Sequence, residues 1–143
     1  MNRLLFLICA TPFVAAAPHL VISYYNEPRD EVVRSINRIQ TALGSPLDVF
    51  LYCKNATCPA IDGAHTQILE NVGREGDTYL RHIIEHHAEF PEFAVFTQAV
   101  PNYLSERLGD LELFNSSAMR FMSFGSKGTC DCDNMGAEVA ELP

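Results

Sequence analysis

Apolar and polar positions along this chain follow two periods in turn. His19 to Tyr25 (HLVISYY) is a short run of strand-forming residues that stops at Asn26-Glu27-Pro28, which predicts a buried strand ending in a turn. From Arg29 onward Val32, Ile36, Ile39 and Leu43 recur at i, i+4, i+7 and i+11, with Asp30, Glu31, Arg34 and Arg38 opposite and Gly44 just beyond. That spacing predicts an amphipathic helix with a glycine stop. Leu47 to Tyr52 (LDVFLY) is again compact and apolar, so the order is strand, helix, strand, and a parallel crossover is expected. A polar loop from Cys53 to His65 leads through Ile68 and Leu69 to Asn71–Ile84, NVGREGDTYLRHII, whose helical part carries Tyr79, Leu80, Ile83, Ile84 and His87 along one side. A third strand, Phe93 to Thr97, follows the turn at Pro91, and Tyr103 to Leu113 has the pattern of a further helix. Ser123 to Asp133, rich in Gly, Ser, Cys and Asp, reads as loop.

Strands alternating with helices predict an α/β fold with a small, mostly parallel sheet flanked by helices, one domain over 18–143 with an irregular C-terminal tail. Ligands of such sheets sit beyond the carboxyl ends of the strands. The tips to watch are therefore Asn26-Glu27, the loop opening at Cys53, and Gln98-Ala99.

Within Asn71–Ile84, Gly73 and Gly76 flank Arg74 and Glu75. Glycines let a backbone approach a ligand, and the following helix offers free N–H groups to an anion. The plainer reading is a helix start in which the glycines make the turn, Asp77 or Thr78 caps, and Arg74 is solvated. The spacing matches neither a phosphate-binding loop nor a dinucleotide fingerprint.

Charge and composition narrow the partners. With 18 acids against 10 Lys plus Arg in 143 residues, and no basic cluster interleaved with aromatics, nucleic acid and anionic membrane surfaces are poor candidates. Residues 1–17, MNRLLFLICATPFVAAA, have a basic start at Arg3, an apolar run from Leu4 to Val14 and small residues at a cleavage position, the pattern of a secretory signal peptide. The run is too short to make a stable membrane span, and Pro12 interrupts it. A secreted protein, or one resident in the lumen of the secretory pathway, is the expectation.

Cysteine usage agrees with that compartment. Beyond Cys9 in the leader, the cysteines form two close pairs, Cys53 with Cys58 and Cys130 with Cys132. Three connectivities are open; a Cys53–Cys58 bridge closing its own loop is favoured, with the later pair bridged locally or reduced. A four-thiolate zinc site is the rival, although neither spacing is a C-x-x-C knuckle. Asn55-Ala56-Thr57 and Asn115-Ser116-Ser117 are acceptor patterns for N-glycosylation at Asn55 and Asn115.

His82-Ile83-Ile84-Glu85-His86 matches the H-x-x-E-H of inverted zinc peptidases. A third ligand would have to come from Glu138 or Glu141, and Ile83 and Ile84 read as core positions, which leaves His82 and His86 on the helix's flank. The peptidase reading is therefore the weakest of those considered. No serine sits in a nucleophile elbow.

A first strand ending Tyr25-Asn26-Glu27, the segment Asn71-Val72-Gly73-Arg74-Glu75 followed by Thr78-Tyr79-Leu80 and Ile83-Ile84, a strand ending Phe96-Thr97-Gln98, and the late Cys130-Asp131-Cys132 together resemble the family called domain of unknown function 3431. The resemblance runs from about Leu20 to the tail. It implies a nucleotide-diphospho-sugar transferase-like (GT-A-type) fold, truncated here, with Asn26 and Glu27 at the nucleotide end of the first strand and Asn71, Gly73, Arg74 and Glu75 near the sugar nucleotide's base or phosphates. Where the family pattern reads Phe-Leu-Gln-Gly-Asp-Pro, this chain has Phe96-Thr97-Gln98-Ala99-Val100-Pro101. The acid that would hold a divalent cation, manganese or magnesium, is thus replaced by Val100, leaving Gln98 as a neutral oxygen and Asp131 or Asp133 as substitute metal ligands.

Two functions follow from the resemblance. One is a secreted or Golgi-type glycosyltransferase-like enzyme in which Arg74 neutralises phosphate while Glu27 and Asn71 orient the nucleotide. The other is a non-catalytic secreted glycan-binding or structural domain that keeps the cleft and has lost the chemistry.

Overall fold

The computed structural model describes residues 16–102 and 104–112. Strand β1 (His19–Tyr24) is followed by helix α1 (Arg29–Leu43), β2 (Asp48–Cys53), β3 (Ala64–Ile68), α2 (Arg74–His86), β4 (Ala94–Gln98) and α3 (Leu104–Glu112). A single 3-10 turn, His87–Glu89, extends the end of α2. The four strands form one sheet in the order β3-β2-β1-β4, and every pairing is parallel. The expected α/β architecture is present. One element was not anticipated: β3 occupies Ala64–Ile68, where the polar composition reads as loop, because it is an edge strand whose residues are mostly exposed.

Alternation along the strands assigns the two faces. Leu20, Ile22 and Tyr24 of β1, Val49, Leu51 and Cys53 of β2, and Val95 of β4 enter one core with Val32, Ile36 and Ile39 of α1 and Leu111 of α3. The α1 positions are those of the expected stripe, and Gly44 ends the helix at φ 64°, donating its N–H to the Gln40 and Thr41 carbonyls. The intervening residues, His19, Val21 and Ser23 of β1 and Phe50 and Tyr52 of β2, face α2 instead.

Of the apolar side expected of helix α2 only Tyr79 packs against that second face, beside Phe96; the helix is otherwise rotated away from it. Thr78 and His82 are completely buried, whereas Leu80, Ile83 and Ile84 are exposed, Ile84 at 70%. The physical reason lies in the sheet. Ser23, Tyr52 and His19 present polar atoms, and a helix seated there must supply hydroxyl and imidazole partners rather than methyl groups.

The chain crosses from β1 through α1 to β2 on one side, then from β3 through α2 to β4 on the other. The direction of winding therefore reverses between β1 and β4, and the crevice beyond their carboxyl ends is where doubly wound sheets hold ligands.

Candidate functional site

Strand ends and the first turn of α2 build the carboxyl edge. Lys54, immediately after β2, is buried; its Nζ donates to the Val72 carbonyl at 2.8 Å and to Asp77 Oδ2 at 2.7 Å. This cation ties the loop before α2 to the sheet. Hydrogen bonding to Lys54 holds the Asp77 carboxyl below its usual range. At the next residue of α2, Thr78 Oγ1 lies 3.3 Å from Ser23 Oγ. At the end of β4, Gln98 Nε2 donates to Glu75 Oε1 at 2.7 Å, joining the reversal point to the start of α2.

The turn into α2 is backbone-driven. Gly73 occupies the cap position at φ 63°, no side chain caps the helix, and Arg74 follows with φ 49°. Asp77 and Thr78 therefore do not cap as expected; they are drawn to Lys54 and Ser23 instead. A Cβ on Gly73 would lie 2.7 Å from the Asp77 Cβ, so glycine is required there both for the positive φ and for the close approach.

The residues anticipated from sequence gather only in part. Glu75 and Gln98 meet directly, and Asn26 and Glu27 lie at the end of β1, on the same edge of the sheet. Glu27 Oε2 accepts from the backbone N–H groups of Tyr25 and Asn26 at 2.8 and 3.0 Å, so this carboxylate folds its own turn. Asn71 is exposed in the loop. Arg74 is 89% exposed at its side chain, with Glu75 as its ion-pair partner at 3.7 Å. Glu75 and Asp77 already place carboxylates in the first turn of α2, so an incoming anion would meet negative charge there.

A hard divalent cation does not fit this donor set. Val100 carries no oxygen ligand, the Gln98 amide is turned to Glu75, and Glu27 is held by backbone donors. Asp131 and Asp133 lie outside the described residues, as do Cys130, Cys132, Asn115, Glu138, Glu141 and residues 1–15. Among the described residues no group of three or more His, Cys, Asp or Glu side chains is arranged to hold a metal ion. In the H-x-x-E-H segment both ring nitrogens of His82 are already engaged, Nδ1 with Tyr52 Oη at 2.8 Å and Nε2 with His19 Nδ1 at 3.0 Å. It is a core histidine, not a flank one.

Cys53 and Cys58 form a disulfide that closes the loop after β2. Asn55 lies inside that loop, its Oδ1 accepting from the Ala56 N–H at 2.7 Å. A groove of about 300 Å³ runs along α1 between Arg29, Asn37, Gln40, Leu47, Ile61 and Asp62, and none of the expected ligand residues lines it. Among the described residues no helix is long and apolar enough to cross a membrane.

Sequence reasoning missed the three polar contacts under α2, Lys54–Asp77, Ser23–Thr78 and Tyr52–His82–His19. A partial signal was present: on the face of β1 shared by His19, Val21 and Ser23 two of three residues are polar, and Tyr52 and Lys54 lie on the same side at and just after the end of β2. No protein-family model, curated protein or solved structure matches this chain.

Proposed function

We propose that the carboxyl edge of this sheet is a non-catalytic binding site for the hydroxyl groups of a carbohydrate, in a secreted or lumenal protein whose fold is that of a reduced nucleotide-sugar transferase. The observation that carries it is the Gln98–Glu75 pair at the reversal point. A planar amide and a carboxylate side by side supply the donors and acceptors that neighbouring sugar hydroxyls require. Tyr25, 56% exposed at the end of β1, adds a ring face on which sugar C–H groups stack.

Two features weigh against the diphosphate of a sugar nucleotide as the principal ligand. Lys54 is spent on Asp77 and Val72, and Arg74 projects into solvent beside Glu75. Phosphate recognition needs a cation free to turn toward the ligand. The Cys53–Cys58 disulfide suits an oxidising compartment, where Asn55 in the same loop is the acceptor we assign for a glycan of the protein's own.

Calorimetric titration of the full chain with mono- and oligosaccharides, and separately with UDP- and GDP-sugars with and without manganese, tests this reading. Binding that ignores manganese and falls at least tenfold in Gln98→Ala, while Arg74→Ala leaves it within about twofold, is expected. Absence of heat with every sugar would overturn it. Binding confined to the nucleotide sugars and lost in Arg74→Ala would return the site to the donor-binding enzyme.

A further inference from the structure

Along the α2 face of the sheet, from Tyr52 near the carboxyl end of β2 to His19 at the start of β1, the C-terminal half of α2 rests on a chain of hydrogen bonds. Tyr52 Oη, His82 Nδ1, His82 Nε2 and His19 Nδ1 follow one another with separations of 2.8 and 3.0 Å across each contact. His86 lies next along the helix, its ring centre 4.4 Å from that of His82 and 5.6 Å from that of His19. Phe50 sits among them, within 4.9 Å of the rings of His19, His65, His82 and His86. Tyr52, His19 and His82 are all buried.

Counting protons in this chain limits what it can hold. The contact between His19 Nδ1 and His82 Nε2 has room for one hydrogen, as does the contact between His82 Nδ1 and Tyr52 Oη. With both imidazoles neutral the two contacts are filled in either direction: Tyr52 donates to His82 Nδ1, His82 Nε2–H donates to His19 Nδ1 and His19 keeps its hydrogen on Nε2, or His19 Nδ1–H donates to His82 Nε2 and His82 Nδ1–H donates to Tyr52 Oη. One added proton is accommodated without breaking either contact, since the Tyr52 hydroxyl can rotate and accept from His82 Nδ1. A second cannot be accommodated. It would set two N–H groups against each other at the His19–His82 contact, and the rings must separate.

We propose that His19, His82 and His86 form an acid-sensitive latch that holds the end of α2 on the sheet and opens when a second proton enters the His19–His82 contact. The surroundings favour opening once charge arrives. On α2 the His86 ring adds like charge on protonation, and His65 of β3 does the same from the other side of Phe50. From β2, Asp48 is the carboxylate that supports a charged His19. Glu85 and Arg81 of α2 act on Tyr52 with opposite sign, while β4 and the turn after α2 contribute the uncharged rings of Phe96 and Phe90. Opening would uncover Phe50 and Phe96 and leave the Lys54 and Ser23 contacts at the other end of α2 in place.

Amide hydrogen exchange and imidazole nitrogen-15 shifts, recorded on the full chain in steps from pH 7.5 to 4, test the latch. Protection of residues 79–90, taken relative to residues 32–43 of α1, is expected to fall at least tenfold below about pH 5, in a step steeper than one proton allows. His86→Gln, at a half-buried position outside the hydrogen-bond chain, should move that step to lower pH by at least half a unit. Simple one-proton titrations of His19 and His82 with protection of α2 tracking that of α1 would overturn the proposal, as would a step that His86→Gln leaves unmoved.

Discussion

The two faces of this sheet are made by the same strands and held by different physics. On the α1 face Leu20, Ile22, Val49 and Leu51 meet Val32, Ile36 and Ile39, and the contact is predominantly apolar, with Ser35 the polar residue that α1 buries. On the α2 face, a smaller apolar group of Val21, Tyr52 and Leu69 is surrounded by Ser23–Thr78, His19–His82–Tyr52 and Lys54–Asp77. Apolar burial stabilises in proportion to area and is nearly indifferent to pH and to exact placement. Paired polar groups contribute little net energy each, but leaving one partner alone is costly, so they fix which helix position sits where. The α1 face therefore supplies most of the stability, and the α2 face supplies register and sensitivity to conditions.

Leu51→Ala should break the comparison most severely. Leu51 is fully buried at the centre of the α1 face, and such truncations cost about 2–5 kcal/mol, the same at pH 5 as at pH 7.5 by urea denaturation. Acid should expose the other face. Burial, followed by the nearby His86 and His19, lowers the His82 pKa from 6.5 to about 4. Between those values the unfolded chain binds the proton and the folded chain does not, so stability is complete above pH 6.5 and is lost as pH falls toward 4. The loss is on the order of 3 kcal/mol at the acid end, measured as the shift in urea midpoint between pH 7.5 and 4. Gly73→Ala comes next, at about 1–2 kcal/mol by thermal unfolding, because its φ of 63° is unfavourable for alanine and its Cβ would push Asp77 away from Lys54.

Legibility in the sequence divides along the same line. The α1 face was readable because Val32, Ile36 and Ile39 obey the rule that apolar residues turn inward, and Gly44 ends the helix by its own backbone preference. Strands β1, β2 and β4, the parallel order and the Cys53–Cys58 bridge were likewise readable from local pattern and short separation. On α2 the same rule pointed to Leu80, Ile83 and Ile84, and the helix turned Thr78 and His82 inward because its partner surface was polar. That partner is decided by strands 55 to 63 residues distant, in the Ser23–Thr78 and His19–His82 pairs. Helix periodicity contains no information about it. Of the expected ligand residues, Glu75 and Gln98 were brought together by the topology, whereas Arg74 projects into solvent after the left-handed Gly73, as the plainer helix-start reading of the flanking glycines has it.

Tyr52→Phe is the gentlest probe and separates the two contributions within the α2 face. The ring keeps its place in the apolar group with Val21 and Leu69, so packing is preserved and only the hydroxyl is removed. At pH 7.5 the loss should be about 1 kcal/mol, since His82 Nδ1 is left buried without its partner. The pH dependence should change as well, in a direction that packing alone does not produce. Without the phenolic oxygen, a protonated His82 has no acceptor at Nδ1, so the charged form is disfavoured further and its pKa falls below that of the parent. The window in which stability declines with acid should then extend to lower pH. If the pH profile of Tyr52→Phe instead runs parallel to that of the parent, the hydroxyl is a spectator, and the sensitivity of this face rests on the histidines alone.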